Sequence, residues 1–148
     1  MTQIKIIYGT GGGNTEIVCE RCKEKFEEHG HTVELARAKT AKPEDMLGNE
    51  LLILACPTYG HGILETFMGK LIAKCKDIEL KNQKAVIIGL GDATYDIDYF
   101  IESEKILRAF LEEKEAEIIT NPLMVSRSPI PYLDTYIPRW VDQVCEKL

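Results

Sequence analysis

No apolar run in this 148-residue sequence is long enough to cross a bilayer. The opening, Met1-Thr2-Gln3-Ile4-Lys5, leads straight into a strand pattern and lacks the apolar centre of an export signal. Positive charge is also scarce. With 18 Lys and Arg against 24 Asp and Glu, the formal net charge is −6. That excess disfavours non-specific binding to nucleic acid and favours basic partners. The five cysteines are an odd number without an export signal, so reduced thiols in a cytoplasmic chain are expected. No internal repeat, low-complexity tract or linker interrupts the sequence. The length suits one domain with a real core.

The most informative stretch runs from Ile4 to Glu16. Its first half, Ile4-Lys5-Ile6-Ile7-Tyr8, reads as a strand, and Ile17-Val18 opens a helical pattern. Between them lie Gly9-Thr10-Gly11-Gly12-Gly13-Asn14-Thr15. A glycine loop entering a helix aims backbone N–H groups at the positive end of the helix dipole, which suits a phosphate. Two familiar phosphate loops are excluded. A Walker loop ends in Gly-Lys-Ser/Thr, and the corresponding run here is Gly13-Asn14-Thr15. A dinucleotide fingerprint counted from Gly9 needs glycine where Asn14 stands. What remains is a loop of amides with two hydroxyls, Thr10 and Thr15. The plain alternative is a glycine turn that only joins strand to helix.

Five strand-like runs alternate with helical patterns. Leu51–Cys56 and Ala85–Leu90 are continuously apolar and read, like Ile4–Tyr8, as central strands. Thr32–Arg37 and Ala116–Thr120 alternate, as edge strands do. Helices are expected over about Asn14 to His29, Glu65 to Lys76, Tyr99 to Lys114 and along the final segment carrying Trp140. Gly30 is the expected stop of the first. Pro43 to Leu47 allows only a short turn. In the last helix Pro138 falls in the first turn or kinks it, and Trp140 belongs to the core stripe. The alternation predicts an α/β fold, a parallel sheet with helices on both faces.

Ligands of such sheets bind beyond the carboxyl ends of the strands, where the winding reverses. Three loops lie there: the glycine loop, Pro57-Thr58-Tyr59-Gly60-His61-Gly62-Ile63-Leu64-Glu65, and the run from Gly91 to Phe100. Tyr59 and Tyr95 read either as exposed loop aromatics or as two walls for a flat ring. Other candidates fare less well. Cys19 and Cys22 have redox-motif spacing but share the core face of the first helix. His29 and His31 join them as metal ligands only if the helix end folds back. Cys56 ends a strand as in low-molecular-weight phosphatases, but Gly62 stands where such a loop needs arginine.

The three loop segments and the strand–helix order together resemble the flavodoxins over nearly the whole chain. The fifth strand runs into Asn121-Pro122-Leu123 without a long insertion, so the resemblance is to the short-chain type. It implies a flavodoxin-like three-layer sandwich with a five-stranded sheet ordered 2-1-3-4-5. It further implies an FMN-binding, low-potential one-electron carrier, a cytoplasmic monomer serving a reductase and an acceptor through an acidic docking edge. A small FMN-dependent nicotinamide reductase on the same scaffold is the alternative. Neither catalytic residues nor a metal site are implied.

By this resemblance Thr10, Gly11, Gly12, Gly13, Asn14 and Thr15 wrap the phosphate. Pro57, Thr58 and Tyr59 line the ribityl chain and one ring face. The Gly60–His61 peptide, with Gly62 beyond it, faces flavin N5. Gly91, Asp92 and Asp98 border the ring, and Tyr95 stacks on its other face. Three departures stand out. Gly11 and Gly12 replace Thr side chains, forgoing roughly 1.5–3 kcal/mol for each hydroxyl donor to the charged phosphate. Pro57 replaces a small polar residue, and His61 an acidic or small one. Asp92, Asp96, Asp98, Glu102 and Glu104 read as acids that oppose extra negative charge on the flavin, or as the solvated start of a helix.

Overall fold

The computed structural model describes residues 2–59, 63–91 and 102–148. In chain order the elements are β1 (Gln3–Tyr8), α1 (Asn14–Glu28), β2 (Thr32–Arg37), β3 (Leu51–Tyr59), β4 (Ile63–Leu64), α2 (Thr66–Ala73), β5 (Lys84–Gly91), α3 (Glu102–Glu113), β6 (Glu117–Ile118), β7 (Leu123–Ser126) and α4 (Tyr136–Glu146). One-turn 3₁₀ helices sit at Pro43–Met46 and Ile130–Tyr132.

The sheet order is β2-β1-β3-β5-β6, all parallel, with β7 also beside β5 and β4 turned back antiparallel on β3. Leaving the two-residue β4 aside, this is the expected 2-1-3-4-5. The reason is visible in the burial. Residues 51–56 of β3 and 85–88 of β5 are fully buried, as strands covered on both faces must be. Alternate side chains enter opposite layers. Ile6, Ile53 and Val86 meet Val18, Cys22 and Phe26 of α1 and Trp140 and Val144 of α4. Ile7, Leu52, Leu54 and Ile87 meet Met68 and Leu71 of α2 and Leu107 and Leu111 of α3.

Helix α1 stops where expected. Gly30 has φ 89°, and the His31 N–H donates to the Phe26 carbonyl at 3.2 Å. Trp140 is 2% exposed, and its indole N–H donates to the Asn121 carbonyl at 2.8 Å. Pro138 lies in the first turn of α4.

Three expectations need correction. The fifth strand is two pieces, not one. Its register against β5 passes from Ala85↔Ile118 to Ile88↔Leu123, so two extra residues bulge out of the outer strand. Pro122 has no N–H for the ladder, and the Asn121 carbonyl serves Trp140 instead. Helix α2 ends at Ala73 rather than Lys76, because the Lys74 and Cys75 N–H groups turn to the tighter Leu71 and Ile72 carbonyls. Phe67 and Ile17 are exposed helix edges, and the ammonium groups of Lys39 and Lys70 lie 5.5 and 5.7 Å from the Phe67 ring centre. Glu104 is no solvated acid: it is 6% exposed and paired to Arg108 at 2.7 Å.

Candidate functional site

Because β2 follows β1 to one side and β3 lies on the other, the winding reverses between the carboxyl ends of β1 and β3. The glycine loop leaves β1 at that point. Its first residue is tied to the neighbouring strand: the Gly9 N–H donates to the Ala55 carbonyl at 2.9 Å. The loop is then shaped from within. The Thr10 Oγ1 accepts the Gly13 N–H at 3.0 Å, and Gly13 takes φ 89° as the residue before α1. Only glycine adopts that conformation without strain. The first helical bond follows, from Ile17 N–H to the Gly13 carbonyl at 3.1 Å.

Helix α1 therefore begins without a side-chain cap. Its leading N–H groups face a loop whose glycines stand open: a Cβ at Gly12 or Gly13 meets nothing within 4 Å. Gly11, Gly12 and Asn14 are exposed, whereas Thr15 is buried. An uncapped helix start over an open main-chain cradle is a fitting seat for a phosphate. Two carboxylates sit nearby, that of Glu65 against Gly9 and that of Glu16 in the first turn. Glu16 accepts the Tyr8 hydroxyl at 3.1 Å and the Arg37 guanidinium at 3.2 Å, so its charge is answered before an anion arrives. Burial, foremost, raises the Tyr8 phenol above its usual range and keeps it a donor.

The second loop springs from β3. Thr58 and Tyr59 pair antiparallel with Leu64 and Ile63 of β4, so the loop is a hairpin. One residue from elsewhere fastens its base. The Ser103 hydroxyl, fully buried at the start of α3, donates to the Cys56 carbonyl at 2.9 Å, and the Ser103 N–H donates to Thr58 Oγ1 at 2.9 Å. Thr58 thus accepts from the protein and keeps its own O–H to offer. Glu65 caps α2, its two oxygens accepting the Phe67 and Met68 N–H groups at 2.9 Å each. Cys56 is fully buried, and burial pushes its thiol up to about 12, away from the thiolate a nucleophile needs.

The third loop leaves β5 at Gly91. That residue pairs with Ser126, and its carbonyl accepts the Arg127 N–H at 2.8 Å. The structure thus brings Thr10–Thr15, Pro57, Thr58, Tyr59 and Gly91 to one edge of the sheet. The roles assigned to Gly60, His61, Gly62, Asp92, Tyr95 and Asp98 lie outside the described residues. Sequence reasoning missed Ser103 and Glu65. Ser103 has no sequence signal, since its partners lie 45 and 47 positions away. Glu65 has a weak one, an acid immediately before a helix.

The remaining candidates are structural. Cys19 and Cys22 are fully buried, and burial raises both thiols. His29 pairs with Asp142 at 2.8 Å, and His31 accepts the Thr2 N–H at 3.3 Å. Among the described residues no cluster is arranged to hold a metal, and no helix is long and apolar enough to cross a membrane.

Comparison with known proteins agrees with this geometry. The flavodoxin family model matches residues 6–133. A flavodoxin of Maridesulfovibrio salexigens is 30% identical, over 87% of this chain and 89% of its own. The crystal structure of oxidised flavodoxin 2 from Bacillus cereus superposes with a TM-score of 0.92 at 25% identity, covering 99% of both chains. A Fusobacterium nucleatum flavodoxin bound to flavin mononucleotide shares the fold, with a TM-score of 0.78 at 15% identity over 100% of this chain and 99% of that one. With a 2-1-3-4-5 sheet, the family model over residues 6–133 and a 30% identical relative, this chain belongs to the flavodoxin family, whose members are electron-transfer proteins rather than enzymes.

Proposed function

We propose that this chain, as one cytoplasmic domain, holds FMN at the carboxyl edge of its sheet and passes single electrons at low potential from a reductase to an acceptor. FMN supplies the redox chemistry when bound. The observation that carries the reading is the uncapped start of α1 beneath the open Gly12–Gly13 cradle. Thr10 and Thr15 flank that cradle, and Gly11, Gly12, Gly13 and Asn14 contribute their amides. Pro57, Thr58 and Tyr59, on a hairpin fastened by Ser103, line the ribityl chain and one ring face. Gly91, anchored by Arg127, starts the loop that carries Asp92, Tyr95 and Asp98 to the other side. The Gly60–His61–Gly62 run faces N5.

The protein's part is to bind, orient and shield. Main-chain donors fixed before the ligand arrives lose little freedom on binding. Glu104 is neutralised by Arg108 and Glu102 is paired to Lys105 at 3.5 Å, so docking charge falls to the remaining acids, Asp92, Asp96 and Asp98. A net charge of −6 steers basic partners, and the association rate should fall as salt rises.

Anaerobic photoreduction of the FMN-loaded protein tests this directly. A carrier is reduced in two resolved one-electron steps and does not oxidise nicotinamide cofactors by itself. Direct turnover of a nicotinamide would instead make it a reductase.

A further inference from the structure

Helix caps are usually short side chains, because Ser, Thr, Asp and Asn reach the second and third N–H groups directly. Helix α2 is capped by Glu65, one methylene longer than Asp, and the side chain is 4% exposed. The extra length takes the carboxylate to the end of β1. A methyl group built on Gly9 overlaps Glu65 Oε1 and comes within 2.9 Å of its carboxyl carbon. Gly9 is not among the residues with positive φ, so its backbone would accept any side chain. A side chain there would have to displace Glu65, which takes the room. Gly9 cannot easily step aside, because its N–H is bonded to the Ala55 carbonyl.

We infer that Glu65 is a positioning residue for the cofactor site. The carboxylate that caps α2 at the foot of the hairpin also abuts, through Oε1, the first residue of the phosphate loop. Glu65 thereby sets the spacing between the phosphate seat and the ring pocket. This rests on the FMN reading above.

The test separates positioning from capping. Glu65→Asp keeps a preferred cap but withdraws the carboxylate from Gly9. Gly9→Ala breaks the same contact from the other side. In the double variant the methyl occupies the vacated space. Apoprotein Tm and the dissociation constants for FMN and for riboflavin, which lacks the phosphate, are measured for all four proteins. Glu65→Asp should hold its Tm yet lose at least about tenfold in FMN affinity and much less for riboflavin. The double variant should bind FMN more tightly than Gly9→Ala alone, a non-additivity that marks direct contact. If Glu65→Asp does not fold, Gly9→Ala against the double variant decides the matter.

Glu65→Asp binding FMN like wild type would overturn the inference, as would equal losses for both flavins tracking a fall in Tm. So would a double variant no better than Gly9→Ala. A wild type that takes up neither flavin removes the FMN reading and the inference with it. A wild type that binds FMN beside an indistinguishable Glu65→Asp removes the inference alone.

Discussion

The two described parts of the site are built in opposite ways. The phosphate loop is assembled from neighbours in sequence: Thr10 bonds Gly13, Gly13 turns into α1, and the Gly9 N–H is held by the adjacent strand. The base of the Thr58–Leu64 hairpin is held by a distant residue, Ser103 of α3. Main chain shapes the first, and a borrowed side chain clamps the second. A seat for a charged group wants convergent amides, which glycine provides. A wall for a flat ring wants a fixed hairpin, which long-range ties provide.

That contrast can be probed by comparing FMN with riboflavin. The largest effect is expected from Gly12→Thr. Its Cβ meets nothing within 4 Å, and the threonine supplies a hydroxyl that the glycine lacks. A gain of about 1.5–3 kcal/mol for FMN is expected, with riboflavin unmoved. A fluorescence titration showing unchanged or weaker FMN binding would mean the amides already saturate the phosphate.

Ser103→Ala comes next. It strips a buried carbonyl of its donor, at about 1–3 kcal/mol of stability measured by denaturant unfolding. Being at the hairpin base, it should weaken FMN and riboflavin alike. A loss confined to FMN would erase the distinction between the two parts. Thr10→Val is smaller, about 1 kcal/mol, through the lost acceptor for Gly13, and should weaken FMN alone.

The smallest effect vanishes at neutral pH. Burial lifts the Cys56 thiol from about 9 to about 12. Above pH 9 the unfolded chain gives up this proton while the native chain keeps it. Stability is therefore intact below pH 9 and falls as pH climbs toward 12. Thermal melts across that window should show a steeper decline for wild type than for Cys56→Ala.

How much of this was legible in the sequence follows the same division. The glycine loop, the three buried strands and the stop at Gly30 were readable because each signal is local and contiguous. The split of the fifth strand was not, since it depends on Trp140 claiming the Asn121 carbonyl from 19 positions away. Nor was the pairing that turns Glu104 inward, which needs the packing of α3 to bury one face of an acidic helix start. Glu65 read as the opening of a helix, and its reach to Gly9 appears only when β1 and α2 are set side by side.

The central claim is that main-chain amides grip a phosphate. Its most direct test is the ratio of wild-type affinities for FMN and riboflavin, titrated with the apoprotein under one buffer. Several charge-assisted hydrogen bonds predict that FMN binds more than about a hundredfold tighter. Equal affinities, or binding of neither flavin, would contradict the account.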